Sequence, residues 1–165
     1  MRFNPHVVLA QTDAEIQACW PVVAQLRPHL KEEVFVPTVR RQFQEGYRLA
    51  FIRDRQKVVA VAGFRILHGL AWGRYCYVDD LVTDERSRSQ GVGGDLLGWL
   101  CDQARAEGCH RLELDSGVQR YAAHRFYLRR LMVISCHHFS LELAGGRSQQ
   151  RSRRPASRRP RPAGR

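Results

Sequence analysis

Residues 78–106, which read VDDLVTDERSRSQGVGGDLLGWLCDQARA, carry the clearest structural signal in the chain. An apolar run interrupted by Asp79 and Asp80 is followed by a loop rich in glycine and by an amphipathic pattern that predicts a helix from about Gly91. A glycine-rich loop that enters a helix presents unpaired backbone N–H groups and the positive end of the helix dipole. The segment therefore predicts a strand, loop and helix that together bind a phosphate or a pyrophosphate.

The spacing of the glycines separates this loop from two familiar nucleotide sites. A P-loop needs a lysine directly after its last glycine, and no lysine follows these glycines. A dinucleotide fingerprint that starts at Gly91 needs glycine or alanine at the position that Leu96 occupies. Neither reading fits the sequence.

The flanking sequence predicts a mixed α/β sheet. Thr12 and Glu15 have the spacing of a capping box at the start of a helix, and we expect a kink or break where Pro21 and Pro37 interrupt the first two helices. The predicted order is a strand at 7–10, a helix from Thr12, a helix at 31–45, a hairpin at 47–64, strand 75–83, the helix from Gly91 to Gly108, strand 111–116, a helix at 121–130 and a final strand at 135–143.

Two motifs in this order resemble those of the GNAT acetyltransferases. Residues 88–93, RSQGVG, match the family's Arg/Gln-x-x-Gly-x-Gly/Ala loop, and AHRFYLRR at 123–130 resembles its helix bearing Ala-x-x-Phe-Tyr. The resemblance covers roughly residues 7–143. It implies a GNAT-like, mostly antiparallel central sheet flanked by about four helices.

The resemblance also implies acetyl-CoA as the co-substrate and assigns residues to it. The backbone of three strand residues would pair with the pantetheine amides, and the loop would hold the pyrophosphate. The strand residues are Leu81, Val82 and Thr83, and the loop residues are Arg88, Ser89, Gln90, Gly91, Val92, Gly93 and Gly94.

Two catalytic residues are implied in the same way. Tyr127 stands where many members place the phenol that protonates the departing thiolate, and Asp79 where several place a carboxylate that assists amine deprotonation. The residues alone leave alternatives open, since Tyr127 could serve only packing. On a regular strand Asp79 and Asp80 point to opposite faces, so that one of them faces the acceptor unless a bulge intervenes.

The implied function is transfer of an acetyl group from acetyl-CoA to a primary amine of a small molecule or protein by direct attack. The alternative is a catalytically silent coenzyme A binding module, or a protein driven by its basic tail to nucleic acid or ribosomes. The sequence leaves the acceptor amine and the oligomeric state open, a homodimer included.

Most of the net positive charge of the chain lies in its last residues, from Arg147 onward. The formal charge is +11, and removing the eight arginines from Arg147 onward leaves +3 for the remainder. We expect residues 1–143 to form one acetyltransferase domain and residues 144–165 to be a disordered Arg/Pro-rich tail that binds polyanions weakly.

The cysteines and the hydropathy pattern bear on compartment and metal content. Five widely spaced cysteines without metal-ligand spacing predict a reduced, cytoplasmic chain and no metal site, and His137 and His138 are too close together to act as joint ligands on a strand. No apolar stretch approaches the length of a membrane span, and the start of the sequence lacks the pattern of a secretory signal.

Overall fold

A five-stranded sheet with helices on both faces forms the framework of the protein. The computed structural model describes residues 6–143. Its elements are β1 (Val7–Leu9), α1 (Asp13–Leu26), α2 (Glu32–Gln44), β2 (Tyr47–Asp54), β3 (Lys57–Gly69), β4 (Gly73–Thr83), a short 3₁₀ turn (Glu85–Ser87), α3 (Val92–Ala106), β5 (Arg111–Leu114) and α4 (Tyr121–Arg129).

The strands lie in the order β1-β2-β3-β4-β5, and every neighbouring pair is antiparallel except β4 and β5, which are parallel. The prediction of a mixed, mostly antiparallel sheet with about four helices is confirmed. The ladder between β4 and β5 ends at the pair Val78 and Leu114. Beyond this pair the two strands part, and the gap positions the site described below.

The core has two layers because successive side chains of β2 and β3 point to opposite faces of the sheet. One face is buried under α1 and α2, and the other under α3 with α4 at its border. The buried side chains that face α1 and α2 include Leu49, Phe51 and Val61, and those that face α3 include Ala50, Ile52 and Phe64.

The predicted start of α1 is confirmed. The Glu15 amide donates to Thr12 Oγ1 at 3.2 Å, and the Thr12 amide donates to Glu15 Oε2 at 3.0 Å, which completes the capping box. The expected breaks at Pro21 and Pro37 do not occur, because α1 and α2 each continue through their proline. Both prolines lie on exposed sides of their helices, where water can bond to the carbonyl that loses its helical partner.

The predicted final strand at 135–143 is wrong. Residues 132–143 have no regular secondary structure, and the apolar side chains of this segment are largely exposed. A strand needs a neighbouring ladder of hydrogen bonds, and within the described chain β5 pairs with β4 alone. The alternating pattern at 135–143 therefore has no sheet partner in residues 6–143.

The turn after α4 provides a test of local backbone strain. Leu131 has a φ of +62° and is 90% exposed, so it adopts a left-handed conformation without burying its side chain. A residue with a Cβ pays roughly 1–2 kcal/mol there. Glycine pays about 0.5–1 kcal/mol in additional chain entropy. We expect Leu131→Gly to raise the free energy of unfolding by about 0.5–1 kcal/mol, measured by urea denaturation.

A matched variant separates relief of strain from a general effect of glycine. Leu128→Gly places glycine inside α4, where helix propensity predicts a loss of about 1 kcal/mol. If Leu131→Gly destabilises the protein as much as Leu128→Gly does, the strain at Leu131 is not real.

Three other predictions can be compared with the structure only over the described residues. No helix of residues 6–143 is long and apolar enough to cross a membrane. All five cysteines lie in the described range and are free thiols. The tail predicted at 144–165 lies outside the described residues.

Candidate active site

A cavity of about 120 Å³ opens where β4 and β5 part. Its walls come from the end of α1, from β4, from the segment after β5 and from one face of α4. The side chains and backbone that line it include those of Arg27, Asp79, Leu81, Asp115, Arg120 and Tyr127. The cavity therefore brings together both predicted catalytic residues and one of the predicted cofactor-binding residues.

A β-bulge explains how Asp79 reaches this cavity. Gly63 of β3 pairs with Asp80, while the next residue, Phe64, pairs with Val78, so Asp79 is the extra residue on β4. A bulge re-aims side chains relative to regular alternation. Asp79 lines the cavity and Asp80 does not, so the geometry separates the two neighbouring carboxylates.

Each carboxylate is held by a different arginine. Arg65 Nε donates to Asp79 Oδ2 at 3.1 Å, and Arg27 Nε donates to Asp80 Oδ1 at 2.8 Å. The buried Tyr47 donates its hydroxyl to Asp80 Oδ2 at 3.0 Å. The Asp80 carboxylate therefore binds residues at the end of α1 and in β2 and holds both elements against β4, whereas Asp79 faces the cavity.

The environment of Asp79 favours the uptake of a proton. Partial burial raises the pKa of its carboxyl above the ordinary value, and Asp80 raises it further by charge repulsion. Arg65 acts in the opposite direction. Asp79 thus combines exposure to the cavity with a proton affinity above that of a solvated aspartate.

Tyr127 enters the cavity from α4. Arg120, Ala123 and Tyr127 are spaced by three and four residues, so they share one helical face, and all three line the cavity. Burial raises the pKa of the Tyr127 phenol, and the positive charge of Arg120 lowers it. The phenol is therefore protonated at neutral pH and can donate a proton.

The predicted pyrophosphate loop lies between β4 and α3, and none of its residues lines the cavity. Gly91 caps α3 with a φ of +90°, a backbone conformation that favours glycine. The amides of Gly94 and Asp95 both donate to the Gly91 carbonyl, at 2.8 and 3.1 Å. The amides ahead of them, at Val92 and Gly93, belong to the helix start, where α-helical geometry supplies no acceptor.

Two glycines of this loop lie in close contact with neighbouring side chains. A Cβ on Gly93 would lie 2.8 Å from Thr83 Oγ1, and a Cβ on Gly94 would clash with the guanidinium of Arg130. The guanidinium of Arg130 therefore rests directly on the first turn of α3. A cation beside the positive end of a helix is unfavourable by itself, so this arrangement suits a bound anion.

The other predicted residues take different positions. Val82 and Val92 are buried in the two core layers, so only their backbones are available to a ligand. Arg88 donates to the Thr83 carbonyl at 3.4 Å, and Gln90 to the Arg86 carbonyl at 3.2 Å. Their roles in cofactor binding stay predictions.

Sequence reasoning missed several charged residues of the site, namely Arg27, Arg65, Asp115, Arg120 and Arg130. The seven-residue spacing between Arg120 and Tyr127 is a signal that could have placed both on one face of α4. Arg27 and Arg65 reach β4 only through tertiary packing and strand register. Within residues 6–143, no group of three or more His, Cys, Asp and Glu side chains is arranged to hold a metal ion.

The fold is that of an α/β protein in which the parallel strands β4 and β5 part at the cavity and a glycine-rich loop joins β4 to α3. The chain belongs to the Acetyltransferase (GNAT) family, whose sequence profile matches residues 10–131. It is 31% identical over 123 residues to the uncharacterized N-acetyltransferase YhdJ of Bacillus subtilis, which covers 74% of this chain and 87% of that protein.

Two further comparisons are a match to part of the sequence and a match of the fold. An aminoalkylphosphonate N-acetyltransferase of Salmonella typhimurium is 40% identical over 52 residues, which is 32% of this chain and 34% of that protein. The fold also matches that of the aminoglycoside N-acetyltransferase AAC(6')-Iy in complex with CoA, with a TM-score of 0.73 and 10% identity, over 87% of this chain and 99% of that one. Family membership and the two N-acetyltransferases matched by sequence support acetyltransferase activity.

Proposed function

We propose that the protein transfers an acetyl group from acetyl-CoA to a primary amine of a small molecule or protein by direct attack. The observation that carries the proposal is the shared cavity of Asp79 and Tyr127 at the point where β4 and β5 part. The N-acetyltransferase relative from B. subtilis supports the reaction, and the CoA complex of the aminoglycoside acetyltransferase supports the co-substrate. The name of the S. typhimurium relative supports a small-molecule acceptor.

The residues present fit coenzyme A. A Cβ on Gly91 would meet nothing within 4 Å, Arg130 supplies a cation on the first turn of α3, and the loop with Arg88 would hold the pyrophosphate. The backbone of residues 81–83 would pair with the pantetheine arm. When bound, acetyl-CoA supplies an activated acetyl thioester, so that a C–N bond forms to the amine as the C–S bond breaks and the thiol leaves.

Asp79 and Tyr127 can carry out the proton transfers of this exchange, Asp79 as the acceptor and Tyr127 as the donor. An alkyl ammonium has a pKa near 10.4, so only about one molecule in a thousand is neutral and nucleophilic at neutral pH. Asp79 can take the proton from the ammonium, directly or through a water molecule. The Tyr127 hydroxyl can give a proton to the sulfur. After attack the nitrogen loses a second proton, which can return the Tyr127 phenolate to its neutral form, and the proton on Asp79 passes to solvent. The conversion of ammonium to amide therefore releases one proton overall.

The cofactor loop can be tested with Gly93→Val. The new side chain would crowd Thr83 and cover the amides of the helix start, so we expect coenzyme A affinity to fall at least tenfold, or about 1.4 kcal/mol. Isothermal titration calorimetry measures this directly. Gly98→Val is the matched control in α3, because a Cβ on Gly98 meets nothing within 4 Å. Equal affinities for the two folded variants would remove Gly93 from the binding site.

The reaction itself is tested by following thiol release from acetyl-CoA. The acceptor panel comprises polyamines, amino acids, aminoglycosides, aminoalkylphosphonates and peptides, and a sample without amine measures hydrolysis. We expect at least one amine to raise the rate well above hydrolysis. Binding of coenzyme A without any amine-dependent release would favour a silent binding module instead.

A further inference from the structure

Only some of the charged side chains that line the active-site cavity form arginine–aspartate ion pairs that stabilise the fold. Four of them face the cavity, namely Arg27, Asp79, Asp115 and Arg120. Arg27 is paired with Asp80 and Asp79 with Arg65, so these two charges are balanced by partners outside the cavity. The charges that remain are those of Asp115 and Arg120.

Asp115 and Arg120 are available to a ligand in different degrees. Asp115 Oδ2 accepts a hydrogen bond from the Tyr77 hydroxyl at 2.5 Å and lies 3.1 Å from His138 Nδ1, with which it forms an ion pair when the imidazole is protonated. It has no arginine or lysine partner in residues 6–143. The guanidinium of Arg120 makes no ion pair or side-chain hydrogen bond with any described residue, Asp115 included. Among residues 6–143, the cavity thus holds one guanidinium without an ion-pair partner, that of Arg120, and one carboxylate, that of Asp115, whose ion-pair partner is His138.

An unpaired guanidinium is a poor neighbour for a simple amine. The acceptor reaches the site mainly as an ammonium ion, because its pKa is near 10.4, and Arg120 would repel it. The repulsion becomes attraction if the acceptor carries its own anion, since the planar fork of arginine binds carboxylate and phosphonate oxygens in pairs. Arg120 and Tyr127 lie two helical turns apart on one face of α4 and both line the cavity, so an anion bound to Arg120 would share the cavity with the proposed general acid.

We propose that the acceptor is a small zwitterionic amine whose carboxylate or phosphonate binds Arg120 while its ammonium group faces Asp79 and Asp115. This inference rests on the proposed acetyl transfer and narrows its acceptor. Arg120 is then the residue that determines acceptor specificity, and it takes no part in the proton transfers.

The test compares amines of similar size that differ in charge. Thiol release is measured with 2-aminoethylphosphonate, β-alanine, ethanolamine and propylamine, using the full chain and its Arg120→Gln and Arg120→Lys variants. We expect kcat/KM of the parent to be at least about tenfold higher for the better anionic amine than for either neutral one. The ranking of 2-aminoethylphosphonate against β-alanine identifies the preferred anion.

The variants distinguish a specificity role from a general one. Arg120→Gln is expected to lower kcat/KM for the anionic amines at least about tenfold more than it lowers kcat/KM for the neutral amines, with acetyl-CoA affinity within about threefold of the parent. Arg120→Lys should recover part of the loss, because it keeps the charge without the fork.

Three outcomes would overturn the inference. The first is a parent enzyme that turns over neutral and anionic amines equally well. The second is an Arg120→Gln variant that loses acetyl-CoA affinity, which would assign Arg120 to the cofactor. The third is coenzyme A binding without thiol release that any amine stimulates, which would refute the proposed function as well. The first two outcomes leave acetyl transfer intact.

Discussion

Replacing Tyr127 with phenylalanine is expected to lower kcat by roughly 10²–10⁴-fold and to leave KM for acetyl-CoA nearly unchanged. Phenylalanine preserves the ring, which lies 5.4 Å from that of Phe126 between centroids, and removes only the hydroxyl. The hydroxyl faces the cavity in its protonated form, because burial raises its pKa. A loss confined to kcat marks an interaction made mainly in the transition state.

Tyr121→Phe is the matched control, because Tyr121 begins the same helix and is 69% exposed. It should keep full activity. If Tyr127→Phe retains turnover within about twofold of the parent, the side chain serves packing and is not the acid. A rise in KM for acetyl-CoA with unchanged kcat would show instead that the hydroxyl holds the co-substrate.

Replacing Asp79 with asparagine is expected to lower kcat/KM by about 10²-fold at neutral pH and to change the shape of the pH profile. In the parent, Asp79 must be ionised to accept the proton of the ammonium. The profile should therefore rise through the pKa of Asp79, stay level, and fall above the pKa of the amine near 10.

The direction of the pKa shift fixes where the acidic limb lies. Burial and Asp80 raise the pKa of Asp79, so the limb should lie at a higher pH than for a solvated aspartate, whose pKa is about 3.9. In Asp79→Asn only the amine that is already neutral can react, so kcat/KM should climb about tenfold per pH unit up to the pKa of the amine. Asp102→Asn, which removes an exposed carboxylate on α3, should leave the profile unchanged. A level profile in Asp79→Asn would exclude Asp79 as the proton acceptor.

The parts of the fold that follow from local chemistry were predictable from the sequence. The capping box of Thr12 and Glu15, the hairpin of β2 and β3, and the start of α3 at Gly91 each depend on residues a few positions apart. The order of these elements then indicates the mixed sheet. Residues 135–143 show the limit, since their alternation favours a strand, but whether a sheet edge accepts them depends on distant parts of the chain.

The site was predictable to the extent that it follows a motif. The positions of Asp79 and Tyr127 came from the resemblance, and the structure places both on one cavity. The bulge that separates Asp79 from Asp80 depends on the register between β3 and β4, which no local pattern encodes. The arginine partners Arg27 and Arg65 likewise depend on contacts that span many residues of sequence.

The most direct measurement is the identification of the products formed from acetyl-CoA and an amine. The purified full chain is incubated with acetyl-CoA carrying a labelled acetyl group and with the best amine of the panel, and both free thiol and labelled product are quantified by mass spectrometry. We predict equal amounts of coenzyme A and of N-acetylated amine, with both falling together in Tyr127→Phe. Thiol release that does not depend on the amine, or an acetyl label that never appears on nitrogen, would contradict the proposal that this protein is an acetyl-CoA-dependent N-acetyltransferase.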